Sequence, residues 1–452
     1  MKFGMFFEHQ VPRPWGAGDD ARVFNEALEQ IELAERIGIE YAWLVEHHFL
    51  EEYSHSSAPE LFLAAASQRT TRIRLGHGIV QTIPAINHPA RVAERIATLD
   101  VLSGGRVEFG TGEGSAAAEL DAFGVDPAHK RAMWEEGTRV ALRCLTEAPF
   151  TGFVGDHVRF APRNVVPKPV QQPHPPVWVA CTRRETIELA ARRGVGALSF
   201  AFFDPEEAKQ WVDSYYTTLA AEGAPMGDAV NANLACVTGF FCHDDQEEAV
   251  RRGSEGVNFI GYSLGHYYVF GRHKPGAGNL WNEYLERRAE KGFDPEAVAL
   301  AAANDDVLGA KVIQDGTSGL RGATGTPKQV REYLRRYEAA GVDQVILSCS
   351  AGRNRHEHIM ESLELLGREV LPEFLERDVE QQAIKAQRLE PIIAAVMARK
   401  PASDHPPLDP DYEIPAYPRQ DADREEGDKF HRWLDDYAAK IAAGEDVSKR
   451  LA

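Results

Sequence analysis

The chain of 452 residues is 43% hydrophobic and 26% charged, an ordinary globular mix that excludes a disordered, collagenous or coiled-coil protein. Lys and Arg number 50 against 69 Asp and Glu, a formal charge of −19, so nucleic acid and membrane surfaces are poor partners. No apolar run approaches the ~20 residues of a membrane span, and five scattered cysteines without a Cys-x-x-Cys pair fit a reducing cytoplasm rather than a disulfide framework or a structural zinc site.

In chain order, short apolar runs alternate with amphipathic helical stretches. Lys2–Phe7 reads as a strand rather than a signal peptide. Phe24, Leu28, Ile31 and Ile37 recur at helical spacing over 21–37, and Gly38 supplies the stop. Strands are then expected at Tyr41–Val45, Arg72–Gly78, Arg106–Gly110, Val177–Cys181, Gly196–Phe200, Asn233–Phe241 and Gln344–Leu347. Helices are expected at Glu60–Gln68, Pro89–Leu102, Lys130–Leu145, Arg183–Arg193, Glu206–Ala220, from Gln246 to Arg252, and Lys328–Ala340. Eight strands, most followed by a helix, predict an α/β fold: one (β/α)8 TIM barrel with insertions and a C-terminal extension.

Three segments depart from the repeat. Phe150–Pro176 is proline-rich and reads as an excursion with a small hairpin near Val158–Phe160. Asn258–Thr324 reads as a long binding or lid loop with a short helix near Trp281–Lys291. The barrel unit is expected over 1–378 and the extension over 379–452. Within the extension, Lys400–Arg419 reads as an extended proline-rich strap and Asp428–Ala443 as an amphipathic helix bearing Phe430, Trp433, Leu434 and Tyr437. Those aromatics favour docking onto this subunit or a neighbour over a solvated tail.

Active sites of such barrels lie at the C-terminal strand ends. There the chain carries Glu8-His9, Glu46-His47-His48-Phe49, His77-Gly78, Thr111-Gly112-Glu113-Gly114, Cys181-Thr182-Arg183-Arg184 and Ser348-Cys349-Ser350. A lone histidine at a strand end is usually structural, but several on neighbouring strands suit proton transfer near neutral pH. Thr182 and Glu185 match a capping box. Arg183 and Arg184 fall in the first helical turn, where the helix dipole disfavours cations by roughly 0.3–1 kcal/mol each. A bound anion would offset that cost, and helix N-termini bind phosphate readily.

Met1-Lys2-Phe3-Gly4, the stretch Tyr41 to Phe49, Leu99-Asp100-Val101-Leu102-Ser103-Gly104-Gly105-Arg106, Gly325-Thr326-Pro327 and Gly341-Val342-Asp343 together resemble the bacterial luciferase-like flavin-dependent monooxygenases. The resemblance implies a barrel that uses reduced FMN and O2, through a flavin C4a-peroxide, to oxygenate an organic substrate. It also implies a homodimer and a separate NAD(P)H-dependent flavin reductase that supplies the reduced FMN. It places catalysis at His47, with His48 and Glu46 orienting it, and the FMN phosphate at Thr182, Arg183, Thr186 and Arg131. It places Gly78-Ile79, where the family often has a non-prolyl cis peptide, and Gly112 beside the flavin. Luciferase proper has a cysteine and an arginine where this chain has Gly112 and Glu113, so light emission and an aldehyde substrate are not implied.

For the substrate, Glu8, His9, Glu113, Phe200, Tyr262 and His266 are the candidates. Phe200, Phe202 and Phe203 at the sixth strand end, with the aromatic residues Tyr262, His266, Tyr267, Tyr268 and Phe270, suggest a mainly apolar organic molecule with a polar handle. The alternatives are a deazaflavin-dependent oxidoreductase of the same fold, a metal-dependent barrel hydrolase using His9, His47, His48 and His77, and a non-catalytic flavin binder. The hydrolase is the weaker because a first-strand His-x-His is missing, and no metal ligand is assigned.

Overall fold

The computed structural model describes residues 1–200, 205–290, 322–402, 405–414 and 424–444. The strands are β1 (Lys2–Phe7), β2 (Tyr41–Leu44), β3 (Arg74–His77), β4 (Val80–Gln81), β5 (Val107–Gly112), β6 (Phe153–Val154), β7 (Arg159–Phe160), β8 (Val177–Cys181), β9 (Gly196–Ser199), β10 (Leu234–Cys242), β11 (Ala323–Gly325) and β12 (Gln344–Ser350). The helices are α1 (Asp19–Ile37), α2 (Pro59–Arg69), α3 (Pro89–Ser103), α4 (Ala117–Ala122), α5 (Lys130–Thr146), α6 (Arg184–Arg192), α7 (Pro205–Glu222), α8 (Gln246–Gly265), α9 (Leu280–Glu290), α10 (Pro327–Ala340), α11 (His356–Glu369), α12 (Leu371–Ala398) and α13 (Arg424–Ala442).

Eight parallel strands close into a barrel in the order β1-β2-β3-β5-β8-β9-β10-β12, with β12 returning to β1. The expected (β/α)8 barrel is therefore the observed architecture. β4 and β11 add short parallel pairings at the far ends of β5 and β10. The expected hairpin forms between β6 and β7.

Strand parity builds two cores. Along β1, Phe3, Met5 and Phe7 face the helices, whereas Phe6 joins Trp43, Val45, Trp178, Leu198, Ala235, Val237 and Ile346 inside the barrel. Two indoles fill that interior because glycines face them. A Cβ at Gly76 would lie 2.2 Å from Trp43, and one at Gly196 2.4 Å from Trp178. Truncating Trp43 to alanine in such a site costs about 3–5 kcal/mol.

Local signals set the helix ends. Thr326 and Gln329 form a reciprocal capping box at the start of α10, with Pro327 in the first turn. Gly38, at φ 97°, ends α1 as the sequence expects.

The expected loop after residue 258 is overturned for its first part. α8 continues to Gly265 and passes into a π-helical turn at His266–Phe270. Glycines within α8 let it pack closely on its neighbours. A Cβ at Gly253 would lie 2.4 Å from Phe241, and one at Gly256 would lie 2.3 Å from the Ala351 carbonyl. The expected short helix forms as α9, and 291–321 lies outside the described residues.

Two compact units are present, Met1–Asp404 and His405–Ala452. The 378/379 boundary falls within α12, whose Phe374, Leu389 and Val396 belong to the main core of the first unit. In the second unit, α13 covers most of the expected Asp428–Ala443 helix, while 403–404 and 415–419 of the expected Lys400–Arg419 strap lie outside the described residues.

Candidate active site

β1 and β2 deliver a carboxylate–imidazole cluster to the barrel mouth. Glu119, on the six-residue α4, is fully buried. Its Oε1 accepts from the His48 backbone N–H at 2.8 Å, from Gln81 Nε2 at 3.1 Å and from His47 Nδ1 at 3.2 Å. Glu46 completes the frame. Its Oε2 accepts from the Gln81 N–H at 2.8 Å, and its Oε1 from Asn87 Nδ2 at 2.8 Å and His48 Nε2 at 2.9 Å. His48 and Glu46 are thus bound to each other, and Glu119 holds the His47 ring.

With Nδ1 turned to a carboxylate, His47 has Nε2 free for proton exchange. That atom lies 3.9 Å from Glu8 Oε2. Burial alone would lower the His47 pKa, but Glu119, Glu8 and Glu46 together hold it above the ordinary value. Burial pushes the Glu8 carboxyl up to about 7, against the opposing pull of His47 and the Tyr53 hydroxyl. Tyr53 donates to Glu8 Oε1 at 2.8 Å.

Around this cluster lie Leu50, Tyr53, Ala116, Ile260, Ala351, Tyr267 and Tyr268. The Tyr53 ring is 5.3 Å from His47 and 6.2 Å from Tyr267. The loop after β2 is strained, with φ of 65° at Phe49 and 36° at Glu51. The adjacent Glu52 carboxylate accepts from the Leu280 and Trp281 N–H groups that open α9. The aromatic segment 266–281 is thereby tied to the histidine loop.

On another arc of the rim, α6 begins after β8. Its N-cap is Arg183, not Thr182, and no side chain caps it. This corrects the capping box read from Thr182 and Glu185. The physical reason is that Glu185 turns outward to Arg131 Nη1, at 2.6 Å. Arg131 also meets Glu113 at 3.3 Å, and Lys130 donates to the Gly114 carbonyl at 2.8 Å. Burial, with the like charges of Arg183 and Arg131, pushes the Lys130 pKa down despite Glu113. An uncapped helix start amid Lys130, Arg131 and Arg183 suits a phosphate group. Thr186 is buried in the first turn, while Thr182 is exposed.

Several predicted residues go elsewhere. His9, one residue beyond Glu8, points away from the mouth between Phe24 and Phe62, with ring centroids 4.6 and 4.5 Å away. Burial lowers its pKa to about 3. His77 is buried, with its pKa lowered to about 4 by burial. Tyr262 packs with Phe259, Trp281 and Tyr284, and His266 lies against Tyr267 and His273. Burial lowers the His266 pKa to about 4. Neither Tyr262 nor His266 is brought to the His47 cluster, whereas Tyr268 is. Glu113 faces Lys130 and Arg131.

Phe200 packs on Phe6 at 5.3 Å, and Phe202 and Phe203 lie outside the described residues. Ile79 lies over Gly112, where a Cβ would be 2.0 Å from Ile79 Cδ1. The Gly78–Ile79 bond is not cis: the cis bonds among the described residues all precede proline. A Cβ added at Gly78 would meet no neighbour closer than 3.6 Å. Among the described residues no three His, Cys, Asp or Glu side chains converge as a metal site requires. No described helix is long and apolar enough to cross a membrane.

Sequence reasoning missed Glu119, Tyr53, Gln81 and Asn87, and read Tyr268 only as part of an aromatic stretch. Glu119 lies 72 residues from His47, and no local pattern joins them.

The luciferase-like monooxygenase family model matches residues 1–344. The oxygenase component of a flavin-dependent trigonelline monooxygenase from Acinetobacter baylyi is 23% identical, over 84% of this chain and 98% of that protein. A 5,10-methylenetetrahydromethanopterin reductase from Methanopyrus kandleri is 26% identical, over 76% of this chain and 94% of its own. The crystal structure of the monooxygenase RslO1 from Streptomyces bottropensis superposes with a TM-score of 0.64 at 26% identity, covering 83% of this chain and 100% of that one. The chain spans only 50% to 63% of the length of the first curated relatives it matches.

Proposed function

The chain belongs to the luciferase-like monooxygenase family, and on that premise we propose that it is an FMN-dependent monooxygenase that oxygenates a mainly apolar organic molecule with O2. The carrying observation is the division of the barrel rim. A histidine held by Glu119, with buried Glu8 and Glu46 close by, occupies one arc, and an uncapped, cationic helix start the other. The flavin-dependent and monooxygenase relatives support the reading.

The residues fit FMN on the chain's own terms. The α6 N–H groups, Arg183 and Arg131 would hold the phosphate, with Glu113 and Glu185 fixing the Arg131 guanidinium. Thr186 lines the same turn. Gly78, Ile79 and Gly112 would lie beside the ring. Reduced FMN supplies the electrons with which O2 is activated.

The protein's own part is proton control and exclusion of water. His47 donates or accepts a proton at Nε2, while Glu119 fixes its Nδ1–H. His48 and Glu46 lock the ring of His47 from behind by fixing the backbone and Gln81. Tyr53, Ile260 and Tyr268 offer the substrate an apolar wall.

A separate NAD(P)H-dependent reductase would deliver the reduced FMN, as the phrase "oxygenase component" suggests for the trigonelline relative. The protein would work in the cytoplasm as a homodimer. Equilibrium binding tests the cofactor. Reduced FMN should bind more tightly than reduced riboflavin, and both more tightly than a deazaflavin. A deazaflavin that binds best would overturn the reading in favour of hydride transfer.

A further inference from the structure

We propose that Glu8 is the proton-holding partner of His47, aimed by Tyr53, so that the two side chains share one exchangeable proton at the barrel mouth. The role deepens the monooxygenase reading and rests on it for its place in the reaction. The pairing itself can be tested without flavin.

The geometry leaves few options. Glu8 is 3% exposed. Its Oε1 is engaged by the Tyr53 hydroxyl at 2.8 Å. Its Oε2 is buried without a hydrogen-bond partner and faces His47 Nε2 at 3.9 Å. The other His47 nitrogen is committed to Glu119. The proton-exchanging end of the imidazole and the open end of the carboxylate therefore face each other. A purely structural glutamate would satisfy both oxygens.

β1 ends at Phe7, so Glu8 and His9 lie beyond the regular strand: His9, at φ 50°, turns between Phe24 and Phe62, while Glu8 meets Tyr53 and His47.

The step balances without a co-reactant once a small side-chain shift closes the 3.9 Å gap to hydrogen-bond distance. A proton leaves His47 Nε2 as its N–H bond breaks, and an O–H bond forms on Glu8 Oε2. Imidazolium and carboxylate become a neutral pair, and the reverse step recharges them. The titratable groups facing Glu8 are His47 and Tyr53 from the β2 loop, Glu119 from α4 and Tyr268 from the π-helical turn. Glu46 acts on His47 from behind. Groups this close titrate as a set, in steps that belong to the pair.

The experiment is an NMR titration of histidine-labelled, flavin-free protein, with the His47 signals assigned by their loss in His47→Asn. Wild-type protein should show His47 titrating in two linked steps. Glu8→Gln keeps an acceptor for Tyr53 but holds no exchangeable acid proton. It should leave one step, moved to lower pH by about 1 unit because an anionic neighbour is gone. Tyr53→Phe should move His47 the same way by less, because an unsupported Glu8 stays neutral to higher pH. It also covers the case in which Glu8→Gln does not fold.

An unchanged His47 titration in either folded variant overturns the pairing. The pH profile of O2-dependent flavin turnover separates the two readings. A shifted titration in a protein without such turnover upholds the pairing and removes the monooxygenase function. Turnover with the same pH profile in Glu8→Gln as in wild type removes Glu8 from the reaction and leaves the function standing.

Discussion

On the His47 arc of the rim, the side chains of Glu8, Glu46 and Glu119 retain 4%, 5% and 1% of their exposure. On the Arg131 arc, Glu113, Arg131 and Glu185 retain 24%, 39% and 66%. Both arcs are dense in charge, and burial makes them different instruments. Inside, each carboxylate oxygen must find a donor or surrender its charge, so protonation states are coupled and shifted. Outside, water and salt screen the charges, so each ion pair is worth little and exchanges readily for a ligand. The inner arc suits proton control and the outer arc suits capture of an anion.

The largest expected effect breaks the inner arc. His47→Ala should lower turnover by ~10²-fold or more, as expected for loss of a proton-transfer group, while FMN affinity stays nearly constant. Steady-state kinetics beside equilibrium binding reads both, and equal loss of the two would merge the arcs into one binding surface.

A second test extends the buried side to His9. Its pKa is lowered from 6.5 to about 3 by burial among aromatic rings. The unfolded chain takes up that proton before the folded one does, so the contribution is present above pH 6.5 and lost as the pH falls toward 3. Acidification to pH 4 should thus cost about 3 kcal/mol through this group. His9→Phe should flatten that part of the stability curve in chemical denaturation between pH 7 and 4. A curve parallel to wild type would mean that His9 is hydrated.

On the outer arc, Arg183→Glu should weaken FMN by about tenfold or more and riboflavin far less, because the lost contact is charge-assisted and only FMN carries the phosphate. Added salt should reproduce part of the effect for FMN and leave the pH dependence of turnover in place. Equal weakening of both flavins would separate this helix start from the phosphate.

The smallest expected effect is removal of the second unit. Met1–Asp404 contains the whole closed barrel and α12. Deleting 405–452 should leave the stability of that unit within about 0.5 kcal/mol. A larger drop in thermal unfolding would place the tail in the barrel's energetics.

Much of the barrel can be read from the sequence because short apolar runs and helical stretches alternate along it. Val177–Cys181 is expected and found as a strand, and Gly38 ends α1 as expected. The adjacent histidines after β2 point to the inner arc for the same reason: residues at one strand end share a place. What stays hidden depends on chain returns or on single-residue register. Glu119 reaches His47 only because α4 folds back over the mouth. Thr182 and Arg183 differ by one position, yet the cap falls on the second. Tyr262 and Tyr268 belong to one aromatic stretch, but helical rotation turns the first toward α9 and the second toward Tyr53.

The most direct test of the division between proton control and anion capture is the reaction of the bound, reduced cofactor with O2. The protein is loaded anaerobically with reduced FMN, mixed rapidly with oxygenated buffer, and followed by absorbance in wild type and His47→Ala. The account predicts a transient species distinct from both reduced and oxidised flavin in the wild type. In His47→Ala, with FMN still bound, its lifetime or its coupling to product should be changed. Single-step reoxidation at the rate of free flavin, identical in the two proteins, would contradict it.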